Sequence, residues 1–311
     1  MNKKGTDMKI AVLGSGAMGC LYGGCLAEAG YDVTLIDVWK QHVDAINEKG
    51  LYIEGVSGDR VIRNIKAVTD LSSLGVADLL IVFVKATITK EAMEQARGLV
   101  GENTVVLTLQ NGLGNIEKIA EVVGKEKVIA GTTGHGSTLL GPGHIRHAGI
   151  ADTNLGELDG SKTERLEKIA EILRKAGFVV NLSSNVLGLI WDKLLVNIGI
   201  NALTALTGLK NGQLLEFEET EELLESLVKE AWEVANRKGI KLYRDPVEHT
   251  KEVCRLSAGN MSSMLQDVTK KRKTEIDVIN GAVVEEGKKL GIETPVNAVV
   301  TKLVKVREKT Y

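Results

Sequence analysis

A glycine-rich turn near the N-terminus constrains the fold of this chain more than any other feature. The sequence GSGAMG, residues 14–19, follows a short apolar strand that starts at Lys9 and precedes a helical segment. In this context Gly14 permits a tight turn, Gly16 lets the main chain approach a pyrophosphate, and Gly19 allows close helix–strand packing. The helix N-terminus then presents N–H groups to phosphates. The motif predicts a dinucleotide-binding unit, with a plain strand–helix turn as the alternative.

Strands and helices alternate through the rest of the first half. Further apolar runs lie at residues 32–37, 79–84, 105–109 and from 128 onward, with helical segments at 17–29, 90–100 and 115–123. Parallel strands that are covered on both faces are continuously apolar. The alternation predicts an α/β fold with a Rossmann-type, doubly wound parallel sheet and right-handed crossovers. Residues 131–157 are predicted to form irregular strands and a hairpin.

The remainder of the chain is predicted to be helical. A helix at 161–176 and a strand at 178–182 precede helical segments at 185–209, 219–238, 246–256, 263–289 and 295–309. Thr294 and Pro295 have the residue types of an N-cap and a first helical position. The sequence thus predicts a dinucleotide-binding domain at 1–183 and an all-helical C-terminal substrate domain at 184–311. Residues 1–7 are predicted to be a flexible tail.

The helical segment 185–209 is apolar on nearly every face, yet it carries a row of polar residues. Lys193, Asn197 and Asn201 are spaced at i, i+4 and i+8, so at ~100° per residue they share one side of the helix. A buried lysine and two buried carboxamides are costly unless they have partners. We interpret the row as the wall of a cleft that binds a polar small molecule. Satisfaction of these groups by the main chain is the alternative.

Two residues of the predicted helix 263–289 are candidates for the same cleft. Glu275 shares a stripe with apolar residues, so its carboxylate needs a partner, and Lys193 is the natural candidate. A buried structural ion pair is the alternative. Ser263 and Gln266 have the spacing of a capping box, which explains the serine about as well as a ligand role does.

Polar residues also follow the predicted strands, at the edge where open sheets bind ligands. Lys85 follows strand 79–84, and Asn111 lies in a Gln-Asn-Gly turn after the next strand. Asp37 closes the second strand, where a carboxylate binds the ribose hydroxyls of NAD and repels a 2′-phosphate. Lys40 is near enough in sequence to bind such a phosphate. Asp37 therefore favours NADH without excluding NADPH.

Composition and charge exclude several other classes of protein. The 311 residues carry a net charge of −2, so no overall field favours nucleic acid or an anionic membrane. Asp192 and Lys193 argue against a membrane span in the apolar helix. No metal site is expected, because metal-ligand spacing is absent from the three cysteines, Cys20, Cys25 and Cys254, and from the histidines of segment 131–157, His135, His144 and His147. The odd number of cysteines and the lack of an apparent signal peptide together predict a cytoplasmic protein.

The chain resembles the ketopantoate reductase family over nearly its whole length. The shared motifs are GSGAMG at 14–19, VKA at 84–86, QNGLG at 110–114, GTTGHG at 131–136, GPGHIRHAG at 141–149, WDKLLVN at 191–197, and SSMLQD and TEID between 262 and 277. That family reduces 2-dehydropantoate to pantoate with NADPH, a step towards pantothenate and coenzyme A. The resemblance implies an NAD(P)H-dependent oxidoreductase with a small 2-keto acid as substrate and a homodimer as candidate assembly.

The resemblance also implies roles for individual residues. Lys193 matches the lysine that protonates the ketone oxygen, and Glu275 matches the glutamate that holds substrate and lysine in place. The implied substrate-binding residues are Asn111, Asn197, Asn201 and Ser263. The implied cofactor-binding residues are Gly14, Ser15, Gly16, Ala17, Met18, Gly19, Asp37, Lys85 and Asn111.

One departure from the family pattern leaves the cofactor and substrate open. Members that use NADPH often place an arginine after the second strand, where this chain has Asp37 and Val38. The alternative is an NADH-linked reductase of another branched or aromatic 2-keto acid, as in D-mandelate-type dehydrogenases. A dinucleotide-binding sensor without catalysis is the non-enzyme alternative, and the presence of both Lys193 and Glu275 argues against it.

Overall fold

A computed structural model describes residues 8–311, so the flexible tail predicted for residues 1–7 lies outside the described residues. The chain divides into two compact units. The first comprises the chain up to Gln110 together with Asn115–Val186, and the second comprises Asn111–Gly114 and Leu187–Tyr311. The short turn Asn111–Gly114 is thus part of the second unit, although its neighbours in sequence belong to the first.

Within residues 8–311 the strands are as follows: β1 Lys9–Leu13, β2 Asp32–Ile36, β3 Leu51–Gly55, β4 Arg60–Ile62, β5 Lys66–Val68, β6 Ala77–Val82, β7 Val100–Thr108, β8 Val128–Thr133, β9 Gly136–Gly141, β10 His144–Gly149, β11 Thr153–Glu157 and β12 Val180–Leu182. The helices are α1 Ala17–Glu28, α2 Lys40–Lys49, α3 Thr89–Gln95, α4 Asn115–Val123, α5 Glu164–Lys175, α6 Val186–Thr207, α7 Glu218–Arg237, α8 Pro246–Leu256, α9 Ser263–Thr269, α10 Asn280–Leu290 and α11 Pro295–Glu308.

The main sheet of the first unit has the order β12-β11-β8-β7-β6-β1-β2-β5. Its neighbouring strands are parallel except for the antiparallel pair β8 and β11. This arrangement confirms the predicted parallel-dominated α/β sheet. A second, mixed sheet has the order β4-β3-β10-β9. Its strands β3 and β4 were not predicted from the sequence.

Strand β1 shows why the main sheet is covered on both faces. Successive side chains of a strand point to opposite faces. Ile10 and Val12 enter one core, which includes residues of α1, α2 and α5. Ala11 and Leu13 enter a second core, which includes residues of α3 and α4. The turn after β1 therefore starts from a strand that is buried from its second residue to its last.

The second unit is helical, as predicted. By length and composition alone, α6 is apolar enough to cross a membrane, but 72% of its most apolar window is buried inside the protein. It is therefore a largely buried helix of a folded core. α11 begins after Thr294 with Pro295 in its first turn, which confirms that predicted start.

The predicted continuous helix 263–289 is wrong, because the chain leaves the helix after Thr269. Lys271 has a φ of +51°, and Arg272 donates its N–H to the carbonyl of Asp267 at 2.8 Å. Lys271 also donates its N–H to Val268 at 3.0 Å, which completes a Schellman-type helix end. The exposed basic run 270–273 then carries the chain to a 3-10 turn, Ile276–Val278, ahead of α10.

Candidate active site

The polar row predicted for the apolar helix lies on α6. Lys193 and Asn197 are partly buried, and Asn201 is only 4% exposed. The residues between them, such as Leu194, Leu195 and Ile198, are buried in the core. The row is therefore a polar line on a helix that is otherwise packed against apolar neighbours.

Lys193 and Glu275 interact electrostatically. Surrounding protein removes hydration from the ammonium group and lowers the pKa of Lys193 to about 8, while the negative charge of Glu275 acts in the opposite direction and raises it. Since the lysine side chain keeps some exposed surface, it can exchange protons with solvent or a ligand. A lysine with this pKa is protonated at neutral pH and gives up its proton readily.

Glu275 lies outside any α-helix, in contrast to the predicted helical stripe. It precedes the 3-10 turn Ile276–Val278, and its carbonyl accepts N–H groups from Val278 at 3.1 Å and Ile279 at 3.2 Å. The preceding residue, Thr274, donates its N–H and its hydroxyl to the carboxylate of Glu308, each at 2.7 Å. The Glu275 backbone is thus held by hydrogen bonds on both sides.

The turn that carries Asn111 packs directly on this segment. Leu113 donates its N–H to the carbonyl of Val278 at 2.9 Å. Gly112 has a φ of +82°, and a Cβ there would lie 2.5 Å from the same carbonyl oxygen. A glycine is therefore required both by the backbone conformation and by the close approach. The arrangement brings Asn111 to the segment that holds Glu275.

Ser263 is beside Asn201, but it does not cap its helix as predicted. Ser263 is the exposed first residue of α9, and Asn201 donates its side-chain amide to the Ser263 hydroxyl at 3.5 Å. The N-cap is Ser262, whose hydroxyl accepts the N–H of Leu265 at 3.0 Å. Gln266, the predicted capping-box partner, instead donates to the carbonyl of Met261 at 3.1 Å. Ser263 therefore has no capping role.

Thr204 links α9 to α6 and was missed by the sequence analysis. Its fully buried hydroxyl lies 2.7 Å from the hydroxyl of Ser262, and it also contacts the carbonyls of Ile200 and Asn201 at 2.9 and 3.0 Å. The hydrogen bond holds the start of α9 against the part of α6 that carries Asn201. A threonine three residues after Asn201 is the only local signal for this link.

In the first unit the glycine-rich turn has the geometry expected of a phosphate-binding turn. A Cβ on Gly19 would lie 2.0 Å from the carbonyl of Gly14, so helix and turn are in direct contact. Around Gly16 the space is open, since a Cβ would meet nothing within 4 Å. No side chain of the described residues caps α1, which begins at Ala17 just after Gly16. The first N–H groups of α1 therefore have no side-chain cap from the described residues and are available to a ligand.

Asp37 is bound to this turn. One carboxylate oxygen accepts the N–H of Ser15 at 3.0 Å and its hydroxyl at 3.2 Å, and the other accepts the N–H of Trp39 at 3.0 Å. Lys40, the rival determinant of cofactor choice, is largely exposed and pairs with Asp44 at 2.7 Å. Of the two charged groups that could determine cofactor choice, the Asp37 carboxylate therefore contacts the turn, whereas the Lys40 ammonium pairs with Asp44.

Lys85 is an exposed residue that follows the end of β6. The adjacent carbonyl of Val84 accepts the side-chain amide of Gln110 at 2.6 Å. A Cβ on Gly14 would lie 2.6 Å from the nitrogen of Val84. The carboxyl edge of the sheet thus brings together the glycine-rich turn, the Lys85 segment and Gln110, as the strand order predicts.

The predicted residues therefore form two sets. The set in the second unit consists of Asn111, Lys193, Asn197, Asn201, Ser263 and Glu275, and the set in the first unit consists of residues 14–19, Asp37 and Lys85. Among residues 8–311, no group of three or more histidine, cysteine, aspartate or glutamate side chains could hold a metal ion. The three cysteines are buried thiols.

Both halves of the chain match models of one protein family. Residues 10–160 match the family model described as ketopantoate reductase PanE/ApbA, and residues 185–308 match the model for the C-terminal part of the same family. A 2-dehydropantoate 2-reductase of Pyrococcus horikoshii is 37% identical, with 97% of this chain and 98% of that protein covered. One from Halobacterium salinarum is 36% identical, with 97% and 99% covered.

Solved structures with similar folds include both a reductase and a dehydrogenase. A PanE/ApbA family ketopantoate reductase of Ralstonia eutropha superposes with a TM-score of 0.91 at 35% identity, covering 97% of this chain and 99% of that one. The ternary structure of D-mandelate dehydrogenase with NADH and anilino(oxo)acetate superposes with a TM-score of 0.92 at 31% identity, with the same coverage.

Proposed function

Because the chain belongs to the ketopantoate reductase family of oxidoreductases, we propose that it reduces the keto group of 2-dehydropantoate to the hydroxyl group of pantoate. The observation that carries the proposal is the half-buried Lys193, which has a lowered pKa and lies within the field of Glu275. A group that must donate a proton near neutral pH works best when its pKa is close to the working pH.

The residues of the glycine-rich turn fit a nicotinamide dinucleotide. The open space around Gly16 and the uncapped N-terminus of α1 suit a pyrophosphate, and Ser15 and Asp37 lie beside them. Lys85 and Asn111 are further candidate contacts, at the sheet edge and on the Asn111–Gly114 turn. When bound, the nicotinamide supplies the hydride that is added to the keto carbon.

In the proposed mechanism Lys193 supplies the proton that completes the reduction. Addition of a hydride, which is one proton with two electrons, to the carbonyl carbon turns the carbonyl oxygen into an alkoxide, which must be protonated. The ammonium of Lys193 donates a proton to this oxygen, and the neutral amine is reprotonated from solvent. Its lowered pKa makes this donation easier than from an ordinary exposed lysine.

The negative charge of Glu275 opposes the effect of burial on the pKa of Lys193. Burial alone would lower the pKa of Lys193 further and so reduce the fraction of the lysine that is protonated at neutral pH. The charge of Glu275 raises that pKa and keeps the ammonium form populated. The hydrogen bonds of Thr274 to Glu308 hold the segment in place, so the carboxylate has a defined position.

Asn197, Asn201 and Ser263 are the proposed substrate-binding residues. Their amide and hydroxyl groups can donate hydrogen bonds to the carboxylate of 2-dehydropantoate or accept a hydrogen bond from the hydroxyl group of that substrate. Asn197 makes no side-chain hydrogen bond within residues 8–311, so its amide is available to a ligand. Asn111 is the proposed contact on the neighbouring turn.

For the cofactor we propose NADH. A 2′-phosphate beside Asp37 would face a like charge, which can cost several kcal/mol in a binding site. Lys40, which could offset that cost, is paired with Asp44 on the exposed side of α2. Support also comes from the related D-mandelate dehydrogenase, whose structure contains NADH.

A second candidate substrate class is other branched or aromatic 2-keto acids. The same resemblance to a D-mandelate dehydrogenase favours it, because both reactions reduce a ketone beside a carboxylate. The test is kcat/KM for 2-dehydropantoate and a panel of 2-keto acids, each with NADH and NADPH. A clear preference for 2-dehydropantoate supports the proposal, and a preference for an aromatic 2-keto acid supports the second candidate. Dinucleotide binding without turnover of any keto acid would contradict both.

A further inference from the structure

Behind the glycine-rich turn lies a buried series of hydrogen bonds, here called the Ser15 relay and formed by Gly143, His42, Cys20 and Ser15. His42 accepts the N–H of Gly143 on Nδ1 at 3.0 Å, and its Nε2 lies 3.3 Å from the Sγ of Cys20. Cys20 in turn donates its thiol proton to the carbonyl of Ser15 at 3.0 Å. Cys20 and His42 are fully buried, and Ser15 is 1% exposed.

The direction of each proton in the relay is fixed by its first member. The N–H of Gly143 can only donate, so Nδ1 of His42 must be unprotonated and its proton must be on Nε2. Nε2–H then points to the sulfur of Cys20, and the thiol proton is left for the carbonyl of Ser15. Every polar group in the relay is satisfied in one arrangement, with His42 neutral.

The surroundings favour this arrangement. Burial lowers the pKa of His42, although the Asp37 carboxylate and the Ser15 main chain act in the opposite direction. Burial likewise raises the pKa of Cys20, so its thiol stays protonated and chemically inert. The cysteine can therefore serve as a hydrogen-bond donor and is unsuited to be a nucleophile.

The relay fixes the orientation of the peptide between Ser15 and Gly16. A trans peptide is planar, so its carbonyl and its N–H point in opposite directions. With the Ser15 carbonyl directed to Cys20, the N–H of Gly16 must point to the other side of the turn, where the space is open. The N–H and hydroxyl of Ser15 are meanwhile held by Asp37.

Trp39 closes the chain of contacts from the other side. It donates its N–H to Asp37 at 3.0 Å, and its ring stacks on the ring of His42 with a centroid distance of 5.3 Å. Asp37, Trp39, His42, Cys20 and Ser15 thus form a closed circuit behind the turn. These contacts connect Cys20 and His42 both to the Ser15–Gly16 peptide and to the Asp37 carboxylate.

We infer that Cys20 and His42 are positioning residues for dinucleotide binding, acting through the Ser15–Gly16 peptide and the Asp37 carboxylate. This inference rests on the proposed binding of a nicotinamide dinucleotide to the glycine-rich turn. Both residues are fully buried, so they act on the ligand indirectly, through Ser15 and Asp37.

The chain provides a matched set of variants to test this inference. Cys20→Ala breaks the relay, whereas Cys20→Ser keeps a group that accepts from His42 and donates to Ser15. Cys25→Ala is the control, since Cys25 is another buried cysteine of α1, and its sulfur contacts Arg60 rather than the relay. Dissociation constants for NADH and NADPH are measured by ligand fluorescence without substrate, together with the melting temperature of each variant.

We expect Cys20→Ala to weaken binding of the preferred dinucleotide by about five- to tenfold, as for one lost hydrogen bond. Cys20→Ser and Cys25→Ala should remain within about twofold of the wild-type value. If Cys20→Ala binds like Cys25→Ala, or Cys20→Ser like Cys20→Ala, the relay has no role in binding. If the wild-type protein binds neither dinucleotide, the proposed function itself is contradicted.

A measurement on the unmodified protein tests the relay independently of variants. Nitrogen-15 NMR of the histidine side chains distinguishes protonated from unprotonated ring nitrogens. We expect His42 at neutral pH to be neutral, with its proton on Nε2. A proton on Nδ1, or on both nitrogens, would overturn the relay whatever the variants bind.

Discussion

Burial of Lys193 lowers the pKa of the lysine and the charge of Glu275 raises it, and the two effects together leave that pKa at about 8. The two effects together place the pKa where the ammonium is both populated and able to donate a proton. Since each residue acts on the same proton, their contributions to turnover should not be independent.

Glu275→Gln removes the charge and keeps the shape of the side chain. It should lower the pKa of Lys193 further, so the loss of kcat at alkaline pH should begin at a lower pH than in the wild-type enzyme. Asp277→Asn is the matched control, because Asp277 lies in the adjacent turn and pairs with Lys305. The double variant with Lys193→Ala should lose less than the product of the two single losses. If the loss of kcat in the double variant equals the product of the two single losses, the two residues act separately.

Asp37→Ala tests the proposed cofactor choice. Without the carboxylate the 2′-phosphate no longer faces a like charge, so the ratio of kcat/KM for NADH over NADPH should fall towards one. Lys40→Ala is the companion variant and should leave the ratio unchanged, because Lys40 pairs with Asp44. A wild-type preference for NADPH that is lost only in Lys40→Ala would contradict the assignment.

Thr204→Val tests the link between α6 and α9. The change removes the hydroxyl that bonds to Ser262 and should loosen Ser263 relative to Asn201. We expect KM for the keto acid to rise about three- to tenfold with a smaller change in kcat, since a lost hydrogen bond is worth roughly 0.5–1.5 kcal/mol. Thr207→Val is the control on the same helix, because its hydroxyl bonds only within α6 and to the N–H of Leu209. Equal effects of the two variants would remove the proposed role.

Lys193→Met should stabilise the fold while it abolishes proton donation. A lysine whose folded-state pKa is about 8 instead of 10.5 is destabilising when charged, and stability should rise with pH between these two values in the wild-type protein. The variant lacks this ionisation, so it should melt at a higher temperature at pH 7 and lose that pH dependence. Thermal denaturation at neutral and alkaline pH measures both effects. A lower melting temperature of Lys193→Met than of the wild type at pH 7 would contradict this expectation, because it would show that the interactions of the charged lysine outweigh the cost of burying it.

Features with a local signal could be predicted from the sequence. The glycine-rich turn is recognised by three glycines between a strand and a helix, and the row of Lys193, Asn197 and Asn201 by its spacing of four. Both signals lie within one short stretch of the sequence. The strands β3 and β4 could not be predicted in this way, because they are short and β3 pairs with β10, some ninety residues away.

The end of α9 illustrates a second limit. Helices that end in a left-handed residue usually have glycine or asparagine there, whereas Lys271 adopts this conformation here. Without that signal the sequence predicted one long helix and therefore an incorrect backbone conformation for Glu275. The pairs Thr204–Ser262 and Cys20–His42 were likewise hidden, since each joins residues that only the folded chain brings together.

Proton donation by Lys193 is tested most directly by the pH dependence of kcat in Lys193→Ala and the wild-type enzyme. The donor must be protonated, so wild-type kcat should fall as the pH rises through about 8. Lys193→Ala should lower kcat by roughly 10²–10⁴-fold and abolish that fall, with dinucleotide affinity unchanged. Lys302→Ala, which removes an exposed lysine of α11, should behave as wild type. A near-normal kcat in Lys193→Ala, or the same alkaline fall without the lysine, would contradict its role as the proton donor.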